Sequence, residues 1–353
     1  MAKKIDSNSQ LPSSIPTPGG RIAKPSSEFY SIFSPEEVLG IIDALEFRRE
    51  MPLKYSYKGR GAKIWDNFYL KYITPRWYRS SSTEIDLLRD NFDYLNDHCK
   101  NCQKVNIVDV GAGNSYPVKE FVGRLHKLGR INKYIALDIS EDLLQLSRSN
   151  FKNWFTNIDF ISSQIDIENN SLAKVLLEKR ANPESEFIAQ IFFHLGVTMG
   201  NHQNRSGVFK NFRDSMNKND LFVFTNEIGS SSQWDGRARG GFKYHVEPVY
   251  TWIKDELGIK AEDCELVRKY DDKIDSIVAN IKLRHPYILN FSFGEIDKSV
   301  EISEGEEITI WRQHKYELPE LQQDIERAGL QLVHYSTDKY LSNVMVICEV
   351  ASH

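Results

Sequence analysis

The sequence has no long apolar run. No stretch of about 18 consecutive apolar residues occurs among its 353 residues, so we expect no membrane-spanning helix. The first residues, MAKKIDSNSQLPSSIP, contain lysines but no apolar segment after them, so we expect no secretory signal peptide. Together these absences predict a cytoplasmic protein that does not bind a membrane.

Cysteine is also scarce. Of Cys99, Cys102, Cys264 and Cys348, only the first two lie close together in the chain. A structural zinc site needs a second pair of ligands at similar spacing, and none is evident. We therefore predict reduced thiols and no bound metal.

A surplus of basic charge is missing as well. The formal net charge is -4 and the sequence pI is about 6.2, so no overall positive field would attract nucleic acid or an acidic membrane surface. The hydrophobic share of 41% and the charged share of 27% are typical of a globular protein. We expect a small-molecule partner and no nucleic acid, and the oligomeric state stays open.

The chain changes pattern several times along its length. From Val105, short apolar runs alternate with helical stretches, which predicts an α/β fold with a doubly wound sheet. After Glu227, a polar loop and alternating strands interrupt that pattern, which predicts an inserted α+β domain. The predicted parts are a disordered tail (1–27), an N-terminal segment that packs with the insertion (28–60), the core (61–229), the insertion for substrate recognition (230–313) and the C-terminal part of the core (314–353).

Two apolar runs end in residues that suit a nucleoside. VNIVDVGAGN ends with Gly111 and Gly113 in its last four residues, and YIALDIS contains a single acid, Asp138. In a doubly wound sheet the ligand lies beyond the carboxyl ends of the strands, at the first turn from strand to helix. The two glycines allow close approach of the backbone, and Asp138 can accept both ribose hydroxyls. We therefore predict an adenosyl site.

This turn lacks a third glycine. A dinucleotide site favours GxGxxG, but Tyr116 stands where the last glycine would be. Asp109, before the glycines, suits a ligand with a cationic methionine end, so the predicted cofactor is S-adenosylmethionine. The residues predicted to hold it are Asp109, Gly111, Gly113, Asp138 and, near the adenine amino group, Gln164 or Asp166. An NAD-dependent oxidoreductase and an ordinary tight turn are the less favoured alternatives.

Beyond this motif, the chain resembles a known family, the histidine-specific methyltransferases of the ergothioneine pathway type, which include relatives that N-methylate dimethylallyltryptophan. The resemblance runs from about Met51 to the C-terminus. It rests on PLKYSYKGRGAKIWDNFYLKYITPRWY, VDVGAGNS, FFHLGVTMGN, a helix ending in ELG, YDDKIDSIVANIKL, SEGEEITIWRQHKY and ERAGLQLVHYSTD. It implies a Rossmann-like class I methyltransferase fold with an inserted substrate-recognition domain.

The resemblance also implies roles for individual residues. Asn201 would hold the amino-acid end of the substrate, and Tyr57 would lie near the substrate side chain. Tyr78 and Glu84 would close over the methionine part of the cofactor. Without the family, Tyr57 would be interpreted as a packed aromatic and Asn201 as a turn residue.

One departure from the family pattern bears on the substrate. Members that methylate histidine carry an acid and a serine that hold the imidazole, where this chain has Trp311 and Gln313. Losing both groups should abolish the preference for histidine. Trp311 either stacks on an indole, a phenol or a guanidinium, or packs in the core. The predicted substrate-binding residues are Tyr57, Asn201, Trp234, Trp311 and Gln313.

The predicted activity is S-adenosylmethionine-dependent N-methylation of an amino acid or of an amino-acid-derived specialised metabolite. Tyr57 and Asn201, the predicted catalytic residues, would orient the lone pair of the amine while water takes the proton. His194 and His245 are candidate bases. The alternatives are methylation of carbon or oxygen in a specialised metabolite, and a non-catalytic scaffold that binds S-adenosylmethionine.

Overall fold

The structure is a computed structural model that describes residues 19–77, 83–179, 188–234 and 242–352. Its strands are β1 Arg21–Ala23, β2 Lys104–Val110, β3 Ile131–Asp138, β4 Asp159–Gln164, β5 Ile188–His194, β6 Leu221–Glu227, β7 Cys264–Asp271, β8 Ser276–Leu283, β9 Tyr287–Phe293, β10 Ile296–Ile302, β11 Glu307–Gln313, β12 Leu330–Thr337 and β13 Asn343–Val350. Its helices are α1 Ser27–Ile32, α2 Pro35–Arg48, α3 Arg60–Phe68, α4 Thr83–Asp90, α5 Phe92–His98, α6 Lys119–Lys127, α7 Glu141–Trp154, α8 Leu172–Lys179, α9 Thr198–Asn201, α10 Arg205–Arg213, α11 Phe242–Glu256 and α12 Leu318–Arg327. A 3₁₀ helix at Leu53–Tyr57 and a π-helix at Tyr69–Ile73 flank α3.

Seven of these strands form the central sheet, in the order β12-β13-β6-β5-β2-β3-β4. The strands from β6 to β4 are parallel, and β13 runs antiparallel to β6 and β12. Within the parallel part, the chain order runs outward from β2 in both directions, as in a doubly wound sheet. This topology confirms the predicted Rossmann-like α/β fold.

The parallel strands are apolar on both faces. Ile107 and Tyr134 belong to the core on one side of the sheet, and Val108 and Phe192 belong to the core on the other. All four side chains are fully buried, because helices cover both faces of the sheet. The carboxyl ends of the strands are therefore the place where a site can open.

The remaining strands form two smaller sheets, β1-β9-β10 and β11-β8-β7. A separate hydrophobic cluster holds them together with the N-terminal helices and α11. Its members include Phe29, Ile41, Ile253, Ile281 and Leu289. The N-terminal segment thus packs against strands that lie more than two hundred residues later in the chain, and the domain boundaries given above stay a prediction.

Helix α2 begins with a capping box. The side chain of Ser34 accepts the backbone N–H of Glu37, the Glu37 side chain accepts the N–H of Ser34, and Pro35 occupies the first turn. A cap of this kind stabilises a helix by about 1 kcal/mol.

No helix in the described part of the chain is long and apolar enough to cross a membrane.

The predicted disordered tail extends too far into the chain. Arg21–Ala23 form β1, which pairs in parallel with β9, placing Ile22 opposite Ile288. The Arg21 side chain also pairs with Asp263. Without β1, the backbone N–H and C=O groups along this edge of β9 would be unpaired. Composition alone does not reveal this pairing, because it is a contact between distant parts of the chain. Residues 1–18 lie outside the described residues.

Candidate active site

A cavity of about 1100 Å³ opens at the carboxyl ends of β2, β3 and β5. Residues of the central sheet form part of its wall, and residues of the 3₁₀ helix, α11 and β11 form another part. Pockets for one small molecule usually measure about 300–1,000 Å³. The cavity is therefore large enough for a cofactor and a second small molecule side by side.

The turn after β2 adopts a conformation that needs glycine. Gly111 has a φ of 75° and Gly113 a φ of 54°, both in the left-handed region. The N–H groups of Gly111 and Ala112 donate to the carbonyl of Leu137, at 2.7 and 3.2 Å. A β-carbon on Gly113 would stand 2.7 Å from the ring of Trp65. The glycines thus bring the turn close to β3 and to an aromatic side chain on α3.

Asp138 lies at the end of β3 and faces this turn. Its Oδ2 accepts the N–H of Gly113 and its Oδ1 accepts the N–H of Ser140, each at 2.9 Å. The side chain lines the cavity, and the residue is 6% exposed. Burial raises the pKa of Asp138 to about 6, although these hydrogen bonds oppose the shift. Each carboxylate oxygen has a second lone pair, so the group can accept two ribose hydroxyls.

Asp109 is anchored beneath the same turn. The hydroxyl of Tyr134 donates to its Oδ2 at 2.5 Å, and the Ser115 hydroxyl lies 2.8 Å from that of Tyr134. Burial raises the pKa of Asp109 to about 7, the Tyr134 hydrogen bond opposes the shift, and the negative charge of Asp138 adds to it. A cation bound in the cavity would favour the ionised form of both acids.

The structure separates the two residues predicted to lie near adenine. Asp166 lines the cavity, and its Oδ2 lies 2.5 Å from Nζ of Lys54. Gln164 is exposed, is not part of the cavity wall, and donates from Nε2 to the carbonyl of Ile139 at 2.7 Å. Sequence reasoning missed Ile139 and Ile165, which line the cavity directly after β3 and β4. Their place just beyond strand ends is the signal that would have found them.

Asn201 ends α9 and also lines the cavity. Gly200, before it, donates its N–H to Oδ1 of Asn226 at 3.0 Å and accepts the N–H of His314 at 2.8 Å. A β-carbon on Gly200 would stand 2.3 Å from the His314 carbonyl, so only glycine fits there. Oδ1 of Asn201 is buried and has no hydrogen-bond partner among the described residues. A buried acceptor of this kind needs a donor from a ligand or from water.

The other predicted substrate residues also line the cavity. Burial raises the pKa of Tyr57 to about 12, so its hydroxyl keeps its proton at neutral pH. Trp311 lies on β11 with its ring stacked near Tyr250, the ring centroids being 6.1 Å apart. Gln313 is 6% exposed, and its Nε2 has no partner in the described part of the chain. The structure thus brings Tyr57, Asn201, Trp234, Trp311 and Gln313 to one cavity.

The remaining candidates differ in position. Glu84 lines the cavity and accepts the hydroxyl of Tyr69 at 3.3 Å, and burial raises the pKa of Glu84. Tyr78 lies outside the described residues. His245 is not one of the described residues that line the cavity. Its ring stacks on the ring of Tyr72, and the ring centroids are 4.1 Å apart.

His194 lines the cavity, but its geometry does not suit a base. Nδ1 lies 2.8 Å from the carbonyl of Val110, and Nε2 lies 3.0 Å from Nε2 of His202. Burial, together with neighbouring His202, lowers the pKa of His194 to about 3. Both ring nitrogens are thus engaged, and the ring holds a proton weakly.

Alanine at Gly113 is expected to weaken binding of the predicted adenosyl cofactor by at least about tenfold. The added β-carbon would collide with the Trp65 ring at 2.7 Å, in addition to the strain of a positive φ. Gly111→Ala is the matched control, because it carries the same strain but its β-carbon meets no atom nearer than 3.8 Å. Calorimetric titration measures both affinities, and equal losses would show that the Trp65 contact plays no part.

Solved structures with similar folds have low sequence identity to the chain. A methyltransferase dependent on S-adenosylmethionine from Clostridium acetobutylicum is 11% identical with a TM-score of 0.44, and the match covers 82% of this chain and 99% of that chain. The methyltransferase CcbJ from Streptomyces caelestis is 13% identical with a TM-score of 0.44, covering 77% of this chain and 96% of that chain. CalS10, an amino pentose methyltransferase from Micromonospora echinaspora, is 11% identical with a TM-score of 0.41, covering 76% of this chain and 92% of that chain. No curated protein sequence matches the chain.

A family model covers almost the whole described structure. The model of the histidine-specific methyltransferases, dependent on S-adenosylmethionine, matches residues 37–349. The matched range includes the glycine turn, Asp138, Asn201 and β11, and the donors and acceptors around the turn fit an adenosyl group. The chain belongs to the family of histidine-specific, S-adenosylmethionine-dependent methyltransferases.

Proposed function

We propose that this methyltransferase transfers the methyl group of S-adenosylmethionine to the amine of an amino acid or of an amino-acid-derived specialised metabolite. We place the reaction in the cytoplasm. The observation that carries the proposal is the buried Oδ1 of Asn201, a residue that lines the cavity, since this oxygen has no hydrogen-bond partner among the described residues. An amide oxygen accepts hydrogen bonds only, so it suits an N–H of the substrate. A substrate with no donor group at this position would leave this acceptor unpaired, at a cost of about 1–3 kcal/mol.

The charges around the cavity also favour an amine. Among the described residues of the wall, carboxylates outnumber basic side chains. The acids are Asp43, Glu50, Glu84, Asp109, Asp138, Asp166, Glu168 and Glu227, and the bases are Arg48, Lys54, Arg268, Arg312 and Lys315. A cavity with a surplus of acids attracts cations, such as a sulfonium and a substrate ammonium.

S-adenosylmethionine, when bound, would supply the methyl group for an in-line displacement. The N–C bond forms while the S–C bond breaks, and sulfur keeps the electron pair of the broken bond. The ammonium product then releases its proton to water. The residues supply positioning. Asn201 accepts one N–H of the neutral amine and so directs its lone pair. Tyr57, with its proton retained, holds a hydrogen bond without taking part in proton transfer.

The part of the cavity around β11 favours a neutral side chain on the substrate. Two basic groups that line the cavity are already paired, Arg312 with Glu50 and Arg268 with Glu247, each at 2.7 Å. Trp311 offers an aromatic face and Gln313 a neutral amide, in place of the carboxylate that an imidazole requires. We therefore favour an indole or a phenol over histidine.

The test is turnover with paired substrates. The protein is incubated with S-adenosylmethionine and histidine, tryptophan, tyrosine, arginine or dimethylallyltryptophan, each also as its N-acetyl derivative, and released S-adenosylhomocysteine is measured. We expect turnover with a free amine of the aromatic group and none with its acetylated partner, whose nitrogen lone pair is delocalised. Equal turnover of both members of a pair would indicate methylation of carbon or oxygen instead.

Replacing Gln313 with leucine is expected to raise the KM for the amine about tenfold, because one amide hydrogen bond contributes about 0.5–1.5 kcal/mol. The affinity for S-adenosylmethionine should not change. Steady-state kinetics and calorimetry measure the two quantities. The control is Gln331→Leu on the exposed side of β12, and an unchanged KM in both variants would remove Gln313 from the substrate site.

A further inference from the structure

One carboxylate holds the loop that follows Asn201. Oε1 of Glu168 accepts the backbone N–H of Gln203 at 2.7 Å and that of Asn204 at 3.3 Å. The same oxygen lies 3.5 Å from Nδ1 of His202. Three consecutive residues after Asn201 therefore share one partner, which belongs to a different segment, between β4 and α8.

His202 is bonded on its other side as well. Its Nε2 lies 3.0 Å from Nε2 of His194, whose Nδ1 lies 2.8 Å from the Val110 carbonyl. A carbonyl only accepts, so His194 carries its proton on Nδ1 and accepts at Nε2 from His202. Val110 belongs to β2, which pairs with β3 on one side and β5 on the other. The series of contacts from Glu168 through the His202 and His194 rings therefore ends at a backbone carbonyl that the central sheet holds in place.

Glu168 also reaches toward the segment that carries Tyr57. Nζ of Lys54 lies 3.9 Å from Glu168 and 2.5 Å from Asp166, and Lys54 is part of the 3₁₀ helix that ends at Tyr57. Burial would raise the pKa of Glu168, but His202, Lys54 and the N–H of Asn204 lower it to about 2. The carboxylate is thus ionised at neutral pH and contacts both segments that carry the proposed amine-binding groups.

We propose that Glu168 and His202 are positioning residues for methyl transfer. They hold the loop that follows Asn201 and the 3₁₀ helix that ends at Tyr57 at a fixed separation. This role rests on the proposed function, because it acts through Asn201 and Tyr57. Neither residue needs to touch the substrate. A displacement of about 1 Å at the reacting groups costs about 10²-fold in rate, so a contact outside the reacting centre can control the reaction.

The first test compares Glu168→Gln with Glu178→Gln, the same substitution at an exposed site on α8. Glutamine keeps an oxygen for the Gln203 and Asn204 N–H groups but loses the charge that faces His202 and Lys54. For the best amine substrate, kcat/KM should fall about 10- to 100-fold in Glu168→Gln, while the Kd for S-adenosylmethionine changes less than about twofold. A kcat/KM equal to that of the control, or an equal loss of cofactor affinity, would overturn the proposal.

The second test needs no substrate. Hydrogen exchange of the ligand-free protein is followed by mass spectrometry in residues 198–204 and 53–57, for the wild type and both variants. Glu168→Gln should speed exchange in both segments, and Glu178→Gln in neither. Faster exchange in the first segment alone, or in neither, would overturn the positioning role. Because this result does not depend on turnover, a wild type that methylates no amine would refute the proposed function without deciding the positioning role.

Discussion

Asp138→Ala is expected to weaken binding of S-adenosylmethionine by about 10²- to 10⁴-fold. Asp138 is a buried acid at the end of β3, and its oxygens accept one N–H from the glycine turn, at Gly113, and one from Ser140, before α7. A hydrogen bond to a charged group contributes about 1.5–3 kcal/mol, and alanine removes the acceptors of two ribose hydroxyls. Isothermal calorimetry measures the loss. The matched control is Asp159→Ala, at the exposed start of β4, and an affinity of Asp138→Ala equal to the control would remove Asp138 from the site.

The pH dependence of binding gives a second readout of the same carboxylate. Because burial raises the pKa of Asp138 to about 6, the group is protonated below that pH and accepts hydrogen bonds less well. Cofactor affinity should therefore rise as the pH increases through about 6. Asp138→Asn should lack that part of the rise and keep any part that comes from Asp109, whose pKa is about 7. A rise near pH 6 that persists in Asp138→Asn would contradict this assignment.

Asn201→Ala is expected to lower kcat/KM for the amine by about 10²-fold and to leave the Kd for S-adenosylmethionine unchanged. The substitution removes the buried acceptor that directs the amine lone pair, while the glycine turn and Asp138 stay in place. Steady-state kinetics with the best substrate and calorimetry with the cofactor separate the two effects.

Asn153→Ala, on the exposed face of α7, is the control for this substitution. It should behave like the wild type in both measurements. If Asn201→Ala weakened cofactor binding as much as it lowered kcat/KM, the role of Asn201 at the amine would be wrong, since the residue would then act on the whole cavity.

Local patterns in the sequence predict a large part of the fold. The apolar run of β2, the cap of α2 and the alternation of strands and helices each depend on neighbours within a few residues. Strand β7 does not follow from such patterns, because its residues are only partly buried and their pairing with β8 is a tertiary contact. The same reason explains why β1 was taken for disordered tail, since it forms only against β9.

The residues of the candidate site also fall into those that local sequence patterns predict and those that depend on contacts between distant segments. Gly111, Gly113 and Asp138 follow from a turn whose geometry dictates residue types, so the motif places them at the cavity. The contacts of Glu168 do not follow from any motif. An acid in a loop carries no local signal of its partners, and this one meets a lysine and a histidine from distant segments. Gln164 was predicted by its place at a strand end, but its side chain turns away to Ile139.

In the proposed reaction, one cavity holds the cofactor beside an amine and the methyl group ends on nitrogen. The most direct test uses S-adenosylmethionine with a deuterated methyl group, the wild-type protein and the aromatic amino acids, followed by fragmentation of the product in a mass spectrometer. We expect the labelled methyl group to stay with the fragment that contains the amine nitrogen. A label on a ring carbon or on a hydroxyl oxygen, or cofactor binding with no labelled product from any amine, would contradict it.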